Sequence, residues 1–399
     1  MSYSLKELVQ FDASNLSAFG TLETQELEPA VQLDFVYGIN TQTGVATTAN
    51  SATVDTNASR LRLQSGTNSA GSAIFNSRRV IKYRPGQGTV ARYTCAFATG
   101  TASNTQICGV GNATDGYFFG YNGTSYGILH RNAGVDTWIT QASWNGDKAN
   151  GTGASGFTIN PQFGNVYMIK YPFLGYGNIG FYVEDQATSR FILVHTIKYT
   201  NTSASVQLTN PNLFFYAQNL NSGNTTNLTM YVGSVGIFSS GRRTYGSSSQ
   251  WAADATKSVN TEAAILSIRN ATTYNGVTNR SLIRLNSLSI SNSNNTNVTV
   301  RLRLGTTIGG SPTFTATNST TADNGVTITN GNSIASTDTA GTTVSGGTYL
   351  FNMQCGPSGA AFLDLAQYEL FIAPGETLTI SGQGSGASST GISINWKED

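Results

Sequence analysis

The chain has 399 residues and a formal net charge of +1, and only 11% of it is Asp, Glu, Lys or Arg, against roughly 25% in an ordinary soluble domain. Hydrophobic residues at 39% and aromatic residues at 10%, beside 44 glycines, supply a sizeable core and exclude a disordered chain, which would lack the aromatics. Clustered cations come only as short pairs such as Arg78-Arg79 and Arg242-Arg243, which argues against strong nucleic-acid binding, since that needs several charges gathered against phosphates.

No apolar stretch reaches the roughly 20 residues of a helical membrane span. The first residues lack the hydrophobic core of a signal peptide, so folding in a cytoplasm is expected. Residues 1–30 read as an N-terminal arm. Ser4 and Glu7 have capping-box spacing. Leu5, Leu8 and Val9, with Phe11 beyond them, form an apolar stripe too short to bury itself. These four are the expected attachment residues, docking on a neighbouring subunit; a loosely ordered terminus is the other reading.

Residues 31–240 read as a lectin-like β-sandwich. Val31, Leu33, Phe35 and Tyr37 alternate with polar neighbours, as do Ile179, Phe181 and Val183. Phe191–Tyr199, Phe214–Tyr216 and Tyr231–Phe238 are runs of β-branched and aromatic residues. Turn signals such as Asn122-Gly123 and Asn145-Gly146 separate the runs, the pattern of a sandwich or jelly roll. Residues 241–262, rich in Ser, Gly and charge with the isolated aromatic Trp251, read as a linker. Residues 263–399 read as a C-terminal jelly roll of about eight strands. Val298, Val300 and Leu302, then Ile392, Ile394 and Trp396, are its clearest alternations. Its middle, 306–347, is a polar excursion, either loop or β-ribbon. Between Glu262 and Asp364 the only acids are Asp323 and Asp338; so uncharged a face suits contact with its own copies around an axis, or is a solvated loop region.

Catalytic groups are scarce. The two histidines, His130 and His195, are far apart, and His195 lies in an apolar strand where a structural role is expected. No His pair, CxxC or phosphate-binding glycine loop occurs, so no metal, cofactor or enzymatic activity is expected. Glu184 and Asp185 are adjacent and open a turn, so they do not make a same-face carboxylate pair. Asp115 and Asp147 lie in Gly/Asn-rich loops and cap turns or bind a cation or sugar hydroxyl. Tyr117, Phe118, Phe119 and Tyr121 flank turns and read as exposed aromatics. Trp138 and Trp144 bracket a loop with Asn145 and Asp147, and these four are the expected glycan contact. Cys95, Cys108 and Cys355 are too few for a disulfide framework. Cys95 and Cys108 could pair across a hairpin, but small buried hydrophobes are expected in a reducing compartment.

Three stretches carry a resemblance: KYRPGQGTVARYTCAF (Lys82–Phe97), the segment Trp144–Asp185 with its Leu-Gly-Tyr-Gly and Val-Glu-Asp, and Phe191–Tyr216 with its His-containing strand and Asn-Pro. Together they resemble virion structural proteins, of capsid or fibre type, in tailed phages and large DNA viruses. The resemblance implies a protein of the particle exterior, assembled in the host cytoplasm and residing in the virion. Its implied partners are its own copies, as a homotrimer or other symmetric oligomer, and other virion proteins such as the major capsid protein. The alternative is a receptor-binding tail fibre or adhesin that recognises host surface glycans.

Overall fold

Period-two alternation of large apolar and small polar residues forces this chain into strands with one buried face. A computed structural model describes residues 16–19, 27–241, 249–293, 295–317, 320–323, 326–329, 333–384, 386 and 388–398. The chain divides into two compact units, Met1–Arg243 and Thr244–Asp399. Both are antiparallel β-structures; the helical pieces among the described residues are two three-residue 3-10 turns, Gln141–Ser143 and Ala366–Tyr368. The expected all-β fold with two sandwich domains is what the chain adopts.

The strands of the first unit are β1 (Leu27–Asp34), β2 (Gly44–Ala49), β3 (Thr53–Asn57), β4 (Arg60–Gln64), β5 (Ser72–Ser77), β6 (Thr89–Ala96), β7 (Asn104–Gly111) and β8 (Gly116–Asn122). They continue as β9 (Ser125–Asn132), β10 (Val135–Thr140), β11 (Asn165–Tyr171), β12 (Ile179–Asp185), β13 (Arg190–Ile197), β14 (Phe214–Asn221) and β15 (Thr229–Ser240). One sheet has the order β13-β12-β11-β6-β15-β4-β3, with β1 also on β15; the other has the order β10-β9-β8-β7-β14-β5-β2. The long β15 carries β4 along Thr229–Val232 and β1 along Ser234–Ser240. Val31, Leu33 and Phe35 are buried as expected, but the strand ends at Asp34 and Tyr37 is fully exposed in the turn beyond.

Tyrosine fills much of the core between these sheets. Tyr93 and Tyr167 stack with ring centroids 5.6 Å apart, and Phe119 lies 4.8 Å from Tyr167. Burying each such ring contributes about 1.5–3 kcal/mol, provided its hydroxyl finds a partner. The Tyr93 hydroxyl donates to the Cys108 carbonyl at 2.8 Å and the Tyr126 hydroxyl to that of Tyr167 at 3.2 Å. Cys95 on β6 and Cys108 on β7 belong to opposite sheets, so they face each other through the core and not across a hairpin; all three cysteines are buried and free.

Buried amides tie the loops to this core. Asn104 donates through Nδ2 to Oδ1 of Asn219 and of Asn221, both at 2.9 Å. Asn219 in turn donates to the carbonyls of Leu63 and Leu228, and Asn221 to those of Gly66 and Asn68. These amides tie loop and strand-end carbonyls together without burying a charge.

The second unit has eight long strands: Ser249–Val259, Ala263–Asn270, Ile283–Asn292, Val298–Leu304, Thr348–Cys355, Ala360–Asp364, Thr377–Gly384 and Ser388–Glu398. Counted in chain order, one sheet reads first-eighth-third-sixth and the other second-seventh-fourth-fifth. That connectivity is a jelly roll. The excursion over 306–347 is partly ribbon: Ala335–Asp338 extends the second sheet by pairing with Ala263–Asn270, and Thr320–Asp323 forms a hairpin with Val326–Thr329. Amides recur here. Asn270 donates to the carbonyls of Ser281 and Ile372, and Asn279 to the Asn270 side chain and the Ala271 carbonyl.

The linker expected over 241–262 is a correction. Ser249–Val259 is the first strand of the jelly roll and pairs along its length with Ser388–Glu398, placing Trp251 opposite Trp396. Its inward positions are Trp251, Ala253, Ala255, Lys257 and Val259, and two alanines and a lysine hide the alternation. The lysine is accommodated because its ammonium donates to the Ala264 carbonyl at 2.9 Å and also to that of Gly341. Trp251→Ala should therefore destabilise the jelly roll by about 3–5 kcal/mol, as a core truncation does. Urea unfolding of the full chain measures this; a linker residue would change the midpoint hardly at all.

Candidate functional site

The expected attachment residues Leu5, Leu8, Val9 and Phe11 lie outside the described residues. The expected glycan-contact residues are described, and they do not form one surface. Trp144 is a core residue, 2% exposed, with its ring 6.2 Å from Phe119 and 5.9 Å from Tyr126. A sugar cannot stack on it. Asn145 docks its loop on β13: Nδ2 donates to the Thr196 carbonyl and Oδ1 accepts the Thr196 N–H, both at 2.8 Å. Asp147 closes the same loop by accepting the N–H groups of Ala149 and Ser155 at 2.8 Å each. Burial pushes the Asp147 carboxyl up, but the Ser155 N–H and hydroxyl and the Ala149 N–H outweigh it and hold the group below its ordinary value. Asp147 is a turn cap.

Trp138 lies elsewhere, on the outer face of the seven-stranded sheet. The register aligns Trp138, Leu129, Phe118, Gly109, Tyr216 and Asn76 in one row across six strands. Glycines bring neighbouring strands of this face close together. A Cβ on Gly120 would lie 1.9 Å from the Gln106 carbonyl oxygen, and one on Gly109 2.2 Å from that of Tyr117. Only glycine permits so close an approach. Phe118 and Leu129 are fully buried on this face, with Trp138 packed half-buried against them. The Arg131 guanidinium sits 5.7 Å above the Phe118 ring and is neutralised by a bidentate pair with Asp136 at 2.6 and 3.0 Å. Tyr216 donates to Gln218 Oε1 at 3.2 Å. Tyr117, Phe118, Phe119 and Tyr121, expected to be exposed, are all buried because they alternate between this outer cluster and the main core. Around Trp138 the face offers an indole and a neutralised ion pair, while the amides of Gln218 and Asn76 lie four and five strands away.

A second constellation was not legible in the sequence. Gln207 is completely buried between β13 and β14 and uses its whole side chain. Its Nε2 donates to the carbonyls of Phe173 at 3.0 Å and Gly177 at 2.8 Å, and its Oε1 accepts the Tyr117 hydroxyl. Its backbone N–H donates to the Gly175 carbonyl at 3.0 Å, and its own carbonyl accepts His130 Nε2 at 2.7 Å. These bonds hold the loop 172–177, in which both Phe173 (φ 53°) and Leu174 (φ 48°) are left-handed without being glycine. Such residues each cost roughly 1–3 kcal/mol and persist only where the surroundings impose them.

Both histidines are structural, as expected of His195. Burial lowers the pKa of each, opposed in His130 by the Gln207 carbonyl and Asp115. His195 Nδ1 accepts the Asn145 N–H at 3.2 Å, which fixes its proton on Nε2. Among the described residues no three His, Cys, Asp or Glu side chains converge in a metal-binding group, and no helix is long and apolar enough to cross a membrane.

In the second unit the outer face of the first-eighth-third-sixth sheet forms a shallow groove of about 480 Å³. Its walls include Asp254, Thr256, Ser289, Ser291 and Ser393, with Phe362 standing 68% exposed at one side. Neither Lys nor Arg lines it.

No family model and no curated protein matches this chain. Among solved structures it is similar to the Emp46p carbohydrate recognition domain in its potassium-bound form, at 7% identity over 53% of this chain and 98% of that one, with a TM-score of 0.34. It is similar to a legume lectin-like domain from Entamoeba histolytica at 11% identity, over 51% of this chain and 95% of that one (TM-score 0.32). A lectin from Bauhinia forficata in complex with GalNAc gives 12% identity, 52% and 97% coverage and a TM-score of 0.33.

Two measurements test these assignments. Trp144→Ala should cost about 3–5 kcal/mol of stability, whereas the half-buried Trp138→Ala should cost about 1–2 kcal/mol; denaturant titration separates them. Because both folded-state histidine pKa values lie below the ordinary 6.5, the fold favours neutral imidazole. Stability of the first unit should be full above about pH 6.5 and fall as pH drops below it. Asp147, whose pKa is lowered from 3.8, adds a separate loss only in the more acidic range below that value. Melting curves of the wild type and of a His130→Gln, His195→Asn variant check this, since the variant should lose the first slope and keep the second.

Proposed function

We propose that this chain is a structural protein of the exterior of a virus particle, a capsid decoration, vertex or head-fibre component that acts by assembly and not by catalysis. The observation that supports it best is the jelly roll with its hydroxyl-lined groove. Thr256, Ser289, Ser291 and Ser393 line the groove with one carboxylate, Asp254, and neither Lys nor Arg does. Such a surface binds a neighbour while desolvating a single ion and freezing few long side chains. The resemblance of Lys82–Phe97, Trp144–Asp185 and Phe191–Tyr216 to virion proteins points the same way. The partners in this reading are its own copies, in a homotrimer or other symmetric oligomer, and other virion proteins such as the major capsid protein.

Recognition of host glycans by a tail fibre or adhesin is the second reading. The outer face of the seven-stranded sheet favours it, where Trp138 stands two residues along β10 from Asp136, the partner of Arg131. Stacking of a sugar on a half-buried indole beside that ion pair is the interaction the face can make.

Light scattering of the purified full chain, with immunogold imaging of particles, tests the first reading. A discrete symmetric oligomer and a label on the particle exterior are expected. Sugar-competed binding on a glycan array that Trp138→Ala abolishes, from a monomer, would move the protein to the second.

A further inference from the structure

We infer that the flank of the jelly roll formed by its fifth and sixth long strands, Thr348–Cys355 and Ala360–Asp364, is a contact between two copies of this chain, paired strand to strand about a two-fold axis. The inference rests on the assembly reading above and gives it a surface and a symmetry.

Three observations converge on this flank. The first is that both sheets end there in an open edge. The fifth strand pairs with the fourth, Val298–Leu304, and the sixth with the third, Ile283–Asn292; among the described residues neither has a backbone partner on its other side. The short turn 356–359 joins the two strands, so their edges are neighbours across the thickness of the sandwich, about 10 Å. The second is that the flank is unguarded. Residues 348–363 contain no Asp, Glu, Lys or Arg, and neither strand contains Pro; these are the residues with which proteins block an edge. A bulge at Leu350 interrupts only the start of the fifth strand. The opposite flank is guarded: Lys257 of the first strand points inward, and Ala335–Asp338 takes the outer edge of the second. The third is an incompletely closed core. Leu350, Phe351, Met353, Leu363 and Leu370 pack against it only half-buried. Tyr349 and Phe362 stand 51% and 68% exposed beside them, and Tyr368, its ring 5.8 Å from that of Phe351, is 50% exposed.

The geometry of the two edges selects the occupant. An extended peptide pairs with one edge and leaves the other open, with the apolar seam between them in water. A lipid surface offers no backbone groups to either edge. The flank calls for a body that presents two strand edges about 10 Å apart with an apolar seam between them, which is the flank of another sandwich. A second copy has that spacing and that seam by identity. A two-fold axis normal to the sheets sets the fifth strand antiparallel to the partner's fifth and the sixth to the partner's sixth, an isologous contact. Both sheets then continue from one copy into the next. Phe362, the central residue of the sixth strand, faces its own counterpart across the axis.

Sedimentation equilibrium on the full chain tests this, with Phe362→Lys, Phe362→Asp and Gln354→Lys beside the wild type. Phe362 and Gln354 are both exposed, so each variant should keep the wild-type melting temperature. Gln354 lies on the fifth strand, away from the groove that Phe362 borders, and separates the edge from the groove. The wild type should self-associate, and each variant should weaken that association about tenfold or more. A mixture of Phe362→Lys with Phe362→Asp should recover it, because only a contact between two copies of this flank brings the opposite charges together. Folded variants that associate as the wild type does, or a mixture that stays dissociated, overturn the flank and spare the assembly reading. A wild type that is monomeric at every concentration overturns both.

Discussion

Buried side-chain amides are the interaction on which this structure depends. A chain with so few charges has few ion pairs with which to hold long loops against its sheets, and buried ions would be costly in any case. An amide carries donors and an acceptor with no net charge, so it enters the core at the price of its hydrogen bonds alone. Gln207 grips one end of the first unit, Asn104, Asn219 and Asn221 the other, and Asn270 and Asn279 do the same in the jelly roll. The abundance of Asn that marks the composition thus has a mechanical role.

That economy of charge shapes the surfaces as well. The tyrosine-rich core lets the first unit bury hydroxyl-bearing rings whose ends still find partners, and the second unit turns its hydroxyls outward on a sheet face. Several of its cations are engaged, as Arg131 is with Asp136 and Arg303 with Glu262 at 3.0 Å. Much of the remaining outside is apolar tips, hydroxyls and amides. Surfaces of that kind favour durable neighbours over steered, transient ones, since steering depends on fields that this molecule lacks.

The outer sheet face and the Gln207-held loop also show how position changes what ordinary residues do. Phe118 and Tyr117 are sequence neighbours, yet one packs in the outer cluster and the other bonds Gln207 in the main core. Leu174 would be unremarked in a loop of the usual handedness. Its interest comes from a backbone conformation that only the surrounding hydrogen bonds maintain.

The sequence by itself determined the all-β class and most of the strands. Val298, Val300 and Leu302, or Ile392, Ile394 and Trp396, alternate because a strand can bury only every second side chain. It also pointed to a structural His195 and to turn capping as one of two roles for Asp115 and Asp147; Asp147 does cap its loop, whereas Asp115 accepts the N–H of distant Thr209 at 3.0 Å. Tertiary structure alone decided the rest. Ser249–Val259 is a strand because Ser388–Glu398 lies beside it, a pairing across the whole length of the second unit that two inward alanines and Lys257 conceal. Trp144 is core and Trp138 is not, although both flank one loop, because exposure depends on which sheet covers a ring. Gln207 reads as one amide among many until Tyr117, His130 and the 172–177 loop converge on it. Periodicity reports a residue's face within its own strand; which distant segment meets that face is fixed only when the chain closes on itself.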